Sequence, residues 1–124
     1  MSTERWPVVL LIENEPILMM VLSDFIEEAG CDVIEAPTTA KAIQILEDRV
    51  DIRLVLADLD VRGSVTGLQL AALIRDRWPP IELILTGAVK PNLSSIPARS
   101  VFHDKPFEQR KLVASIRSFV SASQ

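Results

Sequence analysis

Short apolar runs alternate with segments of helical periodicity along this chain. The runs are β-branched or leucine-rich, and they cover residues 8–12, 32–35, 54–57, 81–85 and 101–104. Such runs, separated by helical patterns, are typical of parallel strands buried on both faces of a sheet. Because crossover connections between parallel strands are right-handed, the helices are expected to cover both faces. The pattern therefore predicts an α/β fold with a doubly wound, five-stranded parallel sheet.

The boundaries of the helices carry their own signals. Pro16 suits the first turn of a helix, and Gly30 suits its end. Thr38 or Thr39 can cap a second helix. Two further helical patterns cover residues 68–77 and the region after Pro106.

The stretch between the fourth and fifth strands is irregular. Residues 88–100 contain Pro91 and Pro97, and a long regular helix cannot hold both prolines in its interior. We therefore expect the fourth helix of the alternating pattern to be short or irregular.

The composition indicates one globular unit. The 124 residues are 48% hydrophobic and 24% charged, which is an ordinary balance for a soluble domain. We expect a single domain over residues 1–124, with an ordered core from about 7 to 120. The net charge of −4, without a basic stripe, argues against nucleic-acid binding. The single cysteine, Cys31, indicates a reducing cytoplasm, and the apolar runs are too short for a membrane span.

Polar side chains follow the predicted strands. Glu13, Asn14 and Glu15 come after the first strand, and Asp58, Thr86 and Lys105 come after the third, fourth and fifth. Ligands of doubly wound sheets bind beyond the carboxyl ends of the strands. We therefore expect these groups to converge on one site.

The expected site combines acids with one lysine. Neighbouring carboxylates favour a hard divalent cation, with Mg²⁺ the best candidate. Beside such a cation, Asp58 can act as a nucleophile towards a phosphoryl group, while Lys105 supplies positive charge and Thr86 a hydroxyl donor. Pro106 fixes the backbone after Lys105, and a cis Lys105–Pro106 bond is compatible with the sequence.

In this arrangement the chain resembles the CheY-like receiver domains of two-component response regulators. The resemblance covers residues 8–120 and rests on motifs at residues 12–16, 56–60, 67–68, 85–87 and 105–107. It implies that Asp58 accepts phosphate from a sensor histidine kinase or a phosphotransfer protein. It also implies a phosphorylation switch at Thr86 and Phe102. The implied Mg²⁺ ligands are Glu13, Asn14, Asp58 and the backbone carbonyl of Asp60.

Two departures from the family pattern bear on these implications. The family usually has two acids where this chain has Glu13 and Asn14, so the site loses one formal negative charge, which should weaken Mg²⁺ binding. The stretch between Thr86 and Phe102 is also shorter and richer in proline than usual, which puts the usual output face of the family in doubt.

The remaining polar residues have simpler interpretations. His103 lacks the Ser, Cys or second His that a catalytic triad or a metal site requires, so we expect it on an exposed strand or loop. Asp60 and Asp104 are expected to be solvated charges at the rim, with Asp60 close enough to Asp58 to influence the lifetime of an acyl phosphate.

Three functions follow from these observations. The first is a single-domain receiver that signals through an unknown downstream protein and catalyses only its own phosphorylation and dephosphorylation. The second is an adaptor with the receiver fold that binds partners without phosphorylation, which Asn14 and the irregular fourth segment support. The third, a small flavodoxin-like enzyme or a nucleotide binder on a similar sheet, is disfavoured because residues 13–16 are acidic and lack glycine. Homodimerisation is left open.

Overall fold

The computed structural model describes residues 6–61 and 65–122 as an alternation of strands and helices. In chain order the elements are β1 (Val8–Ile12), α1 (Pro16–Glu28), β2 (Asp32–Ala36), α2 (Thr39–Asp48), β3 (Ile52–Asp58), α3 (Gly67–Arg77), β4 (Glu82–Gly87), β5 (Ser100–Asp104) and α4 (Gln109–Ala122). Within these residues the strands form one parallel sheet in the order β2-β1-β3-β4-β5. The predicted doubly wound, five-stranded sheet is confirmed.

Alternating side chains of the strands build a core on each face of the sheet. On one face, Leu10 and Val55 pack with the buried sides of α2 and α3. On the other face, Leu11 and Leu56 pack with α1 and α4. Cys31 is fully buried in this second core. Because both faces are covered, polar groups of the sheet are accessible chiefly at its edges and strand ends.

The helix boundaries follow the predicted signals. Pro16 is the first residue of α1, and Gly30, just beyond its end, has a φ of +86° that glycine adopts without strain. The Thr38 hydroxyl accepts a hydrogen bond from the Lys41 amide and caps α2. At the start of α3, Thr66 forms a reciprocal capping box with Gln69.

Residues 88–99, called the β4–β5 segment below, contain only a short 3₁₀ helix at Leu93–Ser95, as the prolines predicted. The last helix extends to Ala122, two residues beyond the predicted core, while residues 1–5, 62–64 and 123–124 lie outside the described part. None of the described helices is long and apolar enough to cross a membrane.

Candidate functional site

The strand order places the ends of β1 and β3 side by side. Ile12 of β1 pairs with Ala57 of β3 in the sheet. The residues that come next, Glu13 and Asp58, therefore lie at the same edge. From this edge α1 packs onto one face of the sheet and α3 onto the other. This is the topological switch point, where doubly wound sheets bind their ligands.

One ammonium group joins three acids at this edge. Lys105 Nζ lies 3.1 Å from Asp58 Oδ2, 3.6 Å from Asp60 Oδ2 and 3.9 Å from Glu13 Oε1. Lys105 follows β5 directly, and its bond to Pro106 is cis. We call Glu13, Asp58, Asp60, Lys105 and Thr86 the acidic pocket.

Two buried oxygen atoms of the acidic pocket have no hydrogen-bond partner among the residues that the structure describes. They are Glu13 Oε1 and Thr86 Oγ1, each on a residue that is 1% exposed. Thr86 is the direct neighbour of Asp58 in the β3–β4 pairing. Buried polar atoms are normally satisfied in folded proteins, so the pocket is suited to a ligand that supplies both an acceptor and a positive charge.

The electrostatics of the pocket reflect its burial and its excess of acids. Burial raises the pKa of the Glu13 carboxyl, and the charge of Asp58 adds to this, while the Glu15 amide and Lys105 act in the opposite direction. Burial alone would lower the pKa of Lys105. The hydrogen bond to Asp58 and the charges of Asp58, Glu13 and Asp60 outweigh that effect and raise it. Lys105 is therefore held as a cation.

The loop after β3 orients the Asp58 side chain. The Asp60 amide donates to Asp58 Oδ1 over 2.9 Å, and the Leu59 amide donates to the Thr86 carbonyl over 2.7 Å. These bonds leave Asp58 Oδ2 directed towards Lys105. The Asp58 carboxylate is thus held by a backbone amide at Oδ1 and by a cation at Oδ2.

The pocket residues fit a hard cation held partly by water. Among the described residues, no group of three or more His, Cys, Asp and Glu side chains forms a ready-made metal cluster. Mg²⁺, however, is usually bound through only one or two carboxylates and several waters. The buried Glu13 Oε1, which accepts no hydrogen bond from the described residues and lies 3.9 Å from Lys105 Nζ, is the kind of oxygen ligand that such an ion uses.

The other predicted site residues lie around this pocket. Asn14 is an exposed residue directly after Glu13. The half-buried Phe102 ring approaches Gly87, 3.4 Å from the position that a Cβ atom would occupy. His103 is not in the pocket. It lies on β5 as predicted but is half-buried rather than exposed, with Nε2 2.9 Å from Ser115 Oγ of α4.

Two contacts of this region were not predicted from the sequence. Asp60 is not simply a solvated charge, because its Oδ2 accepts a hydrogen bond from the Ala88 amide over 2.9 Å. Gly67 lies so close to the loop after β3 that a Cβ atom would be 2.6 Å from Leu59 Cα. The Gly67-Leu68 motif marked this position, but its spacing alone did not show which backbone it approaches.

A family comparison identifies this arrangement. The family model described as the response regulator receiver domain matches residues 9–117. The chain belongs to the receiver domain family of response regulators. No curated protein sequence matches the chain.

Solved structures of receiver domains and response regulators share the fold over nearly the whole chain. A response regulator receiver protein from Sinorhizobium medicae WSM419 has a TM-score of 0.87 and 24% identity, over 99% of this chain and 100% of that one. The signal receiver domain of an HD domain-containing protein from Pseudomonas fluorescens Pf-5 has a TM-score of 0.83 and 20% identity, over 96% and 98%. A response regulator from Thermotoga maritima has a TM-score of 0.75 and 21% identity, over 94% and 98%.

Proposed function

We propose that this receiver domain accepts a phosphoryl group on Asp58 and signals through a partner protein. The observation that carries the proposal is the Lys105–Asp58 pair, with its 3.1 Å separation, beside the Thr86 hydroxyl, which has no hydrogen-bond partner within the described ranges. A nucleophile, a cation and a free donor are the groups that phosphoryl transfer requires in one place.

The transfer uses the residues of the acidic pocket in distinct roles. Asp58 Oδ2 attacks the phosphorus atom of a phosphohistidine or acyl phosphate. The bond from phosphorus to the donor nitrogen or oxygen breaks, and the leaving atom keeps the electron pair. The product is an acyl phosphate on Asp58. Lys105 neutralises charge on the phosphoryl oxygens, and the Thr86 hydroxyl donates to one of them.

A bound Mg²⁺ would supply further positive charge next to the phosphoryl oxygens. Glu13, Asn14, Asp58 and the backbone carbonyl of Asp60 are the groups that would hold it. Asn14 contributes a neutral oxygen where a second acid would contribute a charge, so this domain should bind the ion more weakly than a receiver with two acids there.

A phosphodonor protein has to approach Asp58 over the edge where α1 begins. On α1, Ile17 is 67% exposed and Met20 is 60% exposed. An apolar groove of about 460 Å³ lies next to them, lined by Leu18, Val21, Phe25, Lys105, Pro106 and Phe107. We propose that a sensor histidine kinase or phosphotransfer protein packs against this apolar side of the edge during transfer.

Replacement of Asp58 with Asn tests the acceptor. Wild-type protein treated with acetyl phosphate and Mg²⁺ should gain one phosphoryl mass, and Asp58→Asn should gain none while keeping its circular dichroism spectrum. Intact-mass spectrometry gives the readout. A labelled Asp58→Asn variant would contradict the assignment, and an unlabelled wild type would favour the phosphorylation-independent adaptor.

Replacement of Asn14 with Asp tests the proposed cation site. The added carboxylate should tighten Mg²⁺ binding by about tenfold, since ligand charge sets affinity in such sites. Isothermal titration with MgCl₂ measures it, with Glu15→Gln as the control on the neighbouring exposed acid. An unchanged affinity in Asn14→Asp would mean that position 14 does not bind the ion.

A further inference from the structure

The Asp60 carboxylate is placed between the acidic pocket and the β4–β5 segment. Its Oδ2 atom accepts the Ala88 amide over 2.9 Å and lies 3.6 Å from Lys105 Nζ. The same Lys105 is 3.1 Å from the acceptor oxygen of Asp58. One oxygen of Asp60 therefore contacts both the cation of the pocket and the first residue of the segment.

The start of the β4–β5 segment has little else to hold it. Val89, directly after Ala88, is 78% exposed, and Lys90 is exposed as well. Within the described part of the chain, neither makes a hydrogen bond to the helices or the sheet. The hydrogen bond from Ala88 to Asp60 is thus the first contact that fixes the segment after β4.

We propose that Asp60 is a latch that holds the start of the β4–β5 segment in the unmodified protein and releases it when Asp58 carries a phosphoryl group. This inference rests on the proposed function. It makes Asp60 a positioning residue. The conformation of the β4–β5 segment is then the feature that a partner protein can recognise.

The release follows from the charges around Lys105. Phosphorylation converts the single negative charge of Asp58 into an acyl phosphate with up to two. The phosphoryl oxygens compete with Asp60 for Lys105, and they repel its carboxylate at short range. Because the Asp60 side chain is 46% exposed, it can turn into water at small cost. The Ala88 amide then loses its acceptor.

The ring of Phe102, one of the two proposed switch residues, lies next to the latch. A Cβ atom on Gly87 would lie 3.4 Å from the Phe102 ring and 3.6 Å from Asp60 Oδ1. The ring and the carboxylate therefore lie against the same glycine. Departure of the carboxylate changes the surroundings of the ring at the point where the segment begins.

Hydrogen–deuterium exchange of the amides in residues 88–96 and 97–104 tests the latch. In the unmodified state, the amides of residues 88–96 should exchange about fivefold faster in Asp60→Ala than in wild type, as expected for the loss of one hydrogen bond. The amides of residues 97–104 should exchange at the same rate in both proteins. Asp104→Asn is the matched control. It removes another exposed carboxylate at the same edge of the sheet, and should behave like wild type.

The same measurement after treatment with acetyl phosphate and Mg²⁺ tests the release. Phosphorylated wild type should exchange in residues 88–96 as fast as Asp60→Ala, which should itself respond no further. Asp60→Asn keeps an acceptor oxygen but has no charge to be repelled, so it should stay protected after phosphorylation. This variant separates charge repulsion from simple loss of the bond.

The outcomes distinguish this inference from the proposed function. Equal exchange of unmodified Asp60→Ala and wild type would overturn the latch. An Asp58 adduct with unchanged exchange in residues 88–96 would overturn the release while leaving the phosphoryl acceptor intact. Equal acceleration in residues 97–104 would show general loosening and overturn the inference as well. No adduct at all would overturn the proposed function and the release together, and the unmodified comparison alone would still decide the latch.

Discussion

The two ends of the β4–β5 segment are held by side chains of opposite charge, and only one of these side chains belongs to the acidic pocket. At the start, the Ala88 amide is bound by the Asp60 carboxylate, which also lies beside Lys105. At the other end, the Arg75 guanidinium of α3 donates to the carbonyls of Ala98 and Arg99 over 2.9 and 3.4 Å. Nη1 of the same arginine donates to the carbonyls of Pro79 and Ile81, over 2.8 Å each.

This difference separates a part that can move from a part that is fixed. The start depends on one half-exposed side chain in the acidic pocket, so chemistry at Asp58 can reach it. The end depends on a guanidinium that binds carbonyls on both sides of β4, away from the pocket. A segment without a regular helix can therefore respond to the site at one end while β5 stays in register.

The largest effect is expected from Gly67→Ala, which acts on the pocket side. A Cβ atom there would lie 2.6 Å from Leu59 Cα, 2.8 Å from the Leu59 carbonyl oxygen and 3.0 Å from that of Asp58. Since these are backbone atoms, α3 or the loop after β3 has to shift. We expect a loss of about 3 kcal/mol of unfolding free energy and much slower labelling of Asp58, measured by urea denaturation and by mass spectrometry.

Gly87→Ala is the control for this substitution. Its Cβ atom would meet the Phe102 ring at 3.4 Å, an ordinary contact with a side chain, so stability should change little. If Gly67→Ala were as stable and as readily phosphorylated as wild type, the close approach of α3 would not position the acceptor loop.

Arg75→Met should break the fixed end of the segment. It leaves the carbonyls of Ile81, Ala98 and Arg99 without their charged donor. The Pro79 carbonyl keeps a hydrogen bond from the Arg99 guanidinium. We expect a loss of about 2 kcal/mol of unfolding free energy. Exchange should rise in residues 97–104, while labelling of Asp58 stays at the wild-type rate because the acidic pocket is untouched. Urea denaturation, hydrogen–deuterium exchange and mass spectrometry provide the readouts.

Arg77→Met on the same helix is the matched control. Arg77 pairs with Glu47 over 3.3 Å at the surface, where both side chains are about half exposed, and its guanidinium lies 4.5 Å from the centre of the Trp78 ring. Its loss should therefore cost about 1 kcal/mol. Similar losses in the two variants would show that the carbonyl contacts of Arg75 contribute no more than a surface ion pair.

The sequence predicted the regular parts of this comparison and missed its contacts. The strand β1 and the first residue of α1 follow from the apolar run and from Pro16, and the pocket follows from acids placed after parallel strands. The bond from Asp60 to Ala88 joins residues 28 positions apart, and the Arg75–Ala98 bond joins residues 23 apart. Such contacts depend on how loops turn, which local periodicity does not encode.

The smallest effect is expected from replacing His103, which lies on β5 at the fixed end of the segment and contacts α4. Burial lowers the pKa of His103 below 6.5, the positive charge of Lys111 lowers it further, and Asp104 partly opposes both. The imidazole also lies 2.9 Å from Ser115 Oγ. The folded state disfavours the protonated ring, so the neutral His103 contributes to the unfolding free energy. This contribution is complete above about pH 6.5 and is lost as pH falls through the lower, folded-state pKa.

His103→Gln should therefore flatten the fall in unfolding free energy between pH 7 and pH 5, which urea denaturation at a series of pH values measures. The acidic pocket is the same in both proteins, so the difference between the two curves isolates the ring. Exchange in residues 88–96 should not follow this titration, because His103 faces α4 and the latch depends on Asp60. Identical pH curves would mean that His103 is protonated as readily in the folded as in the unfolded chain. A matching rise of exchange in residues 88–96 would mean that the two ends of the segment are not independent.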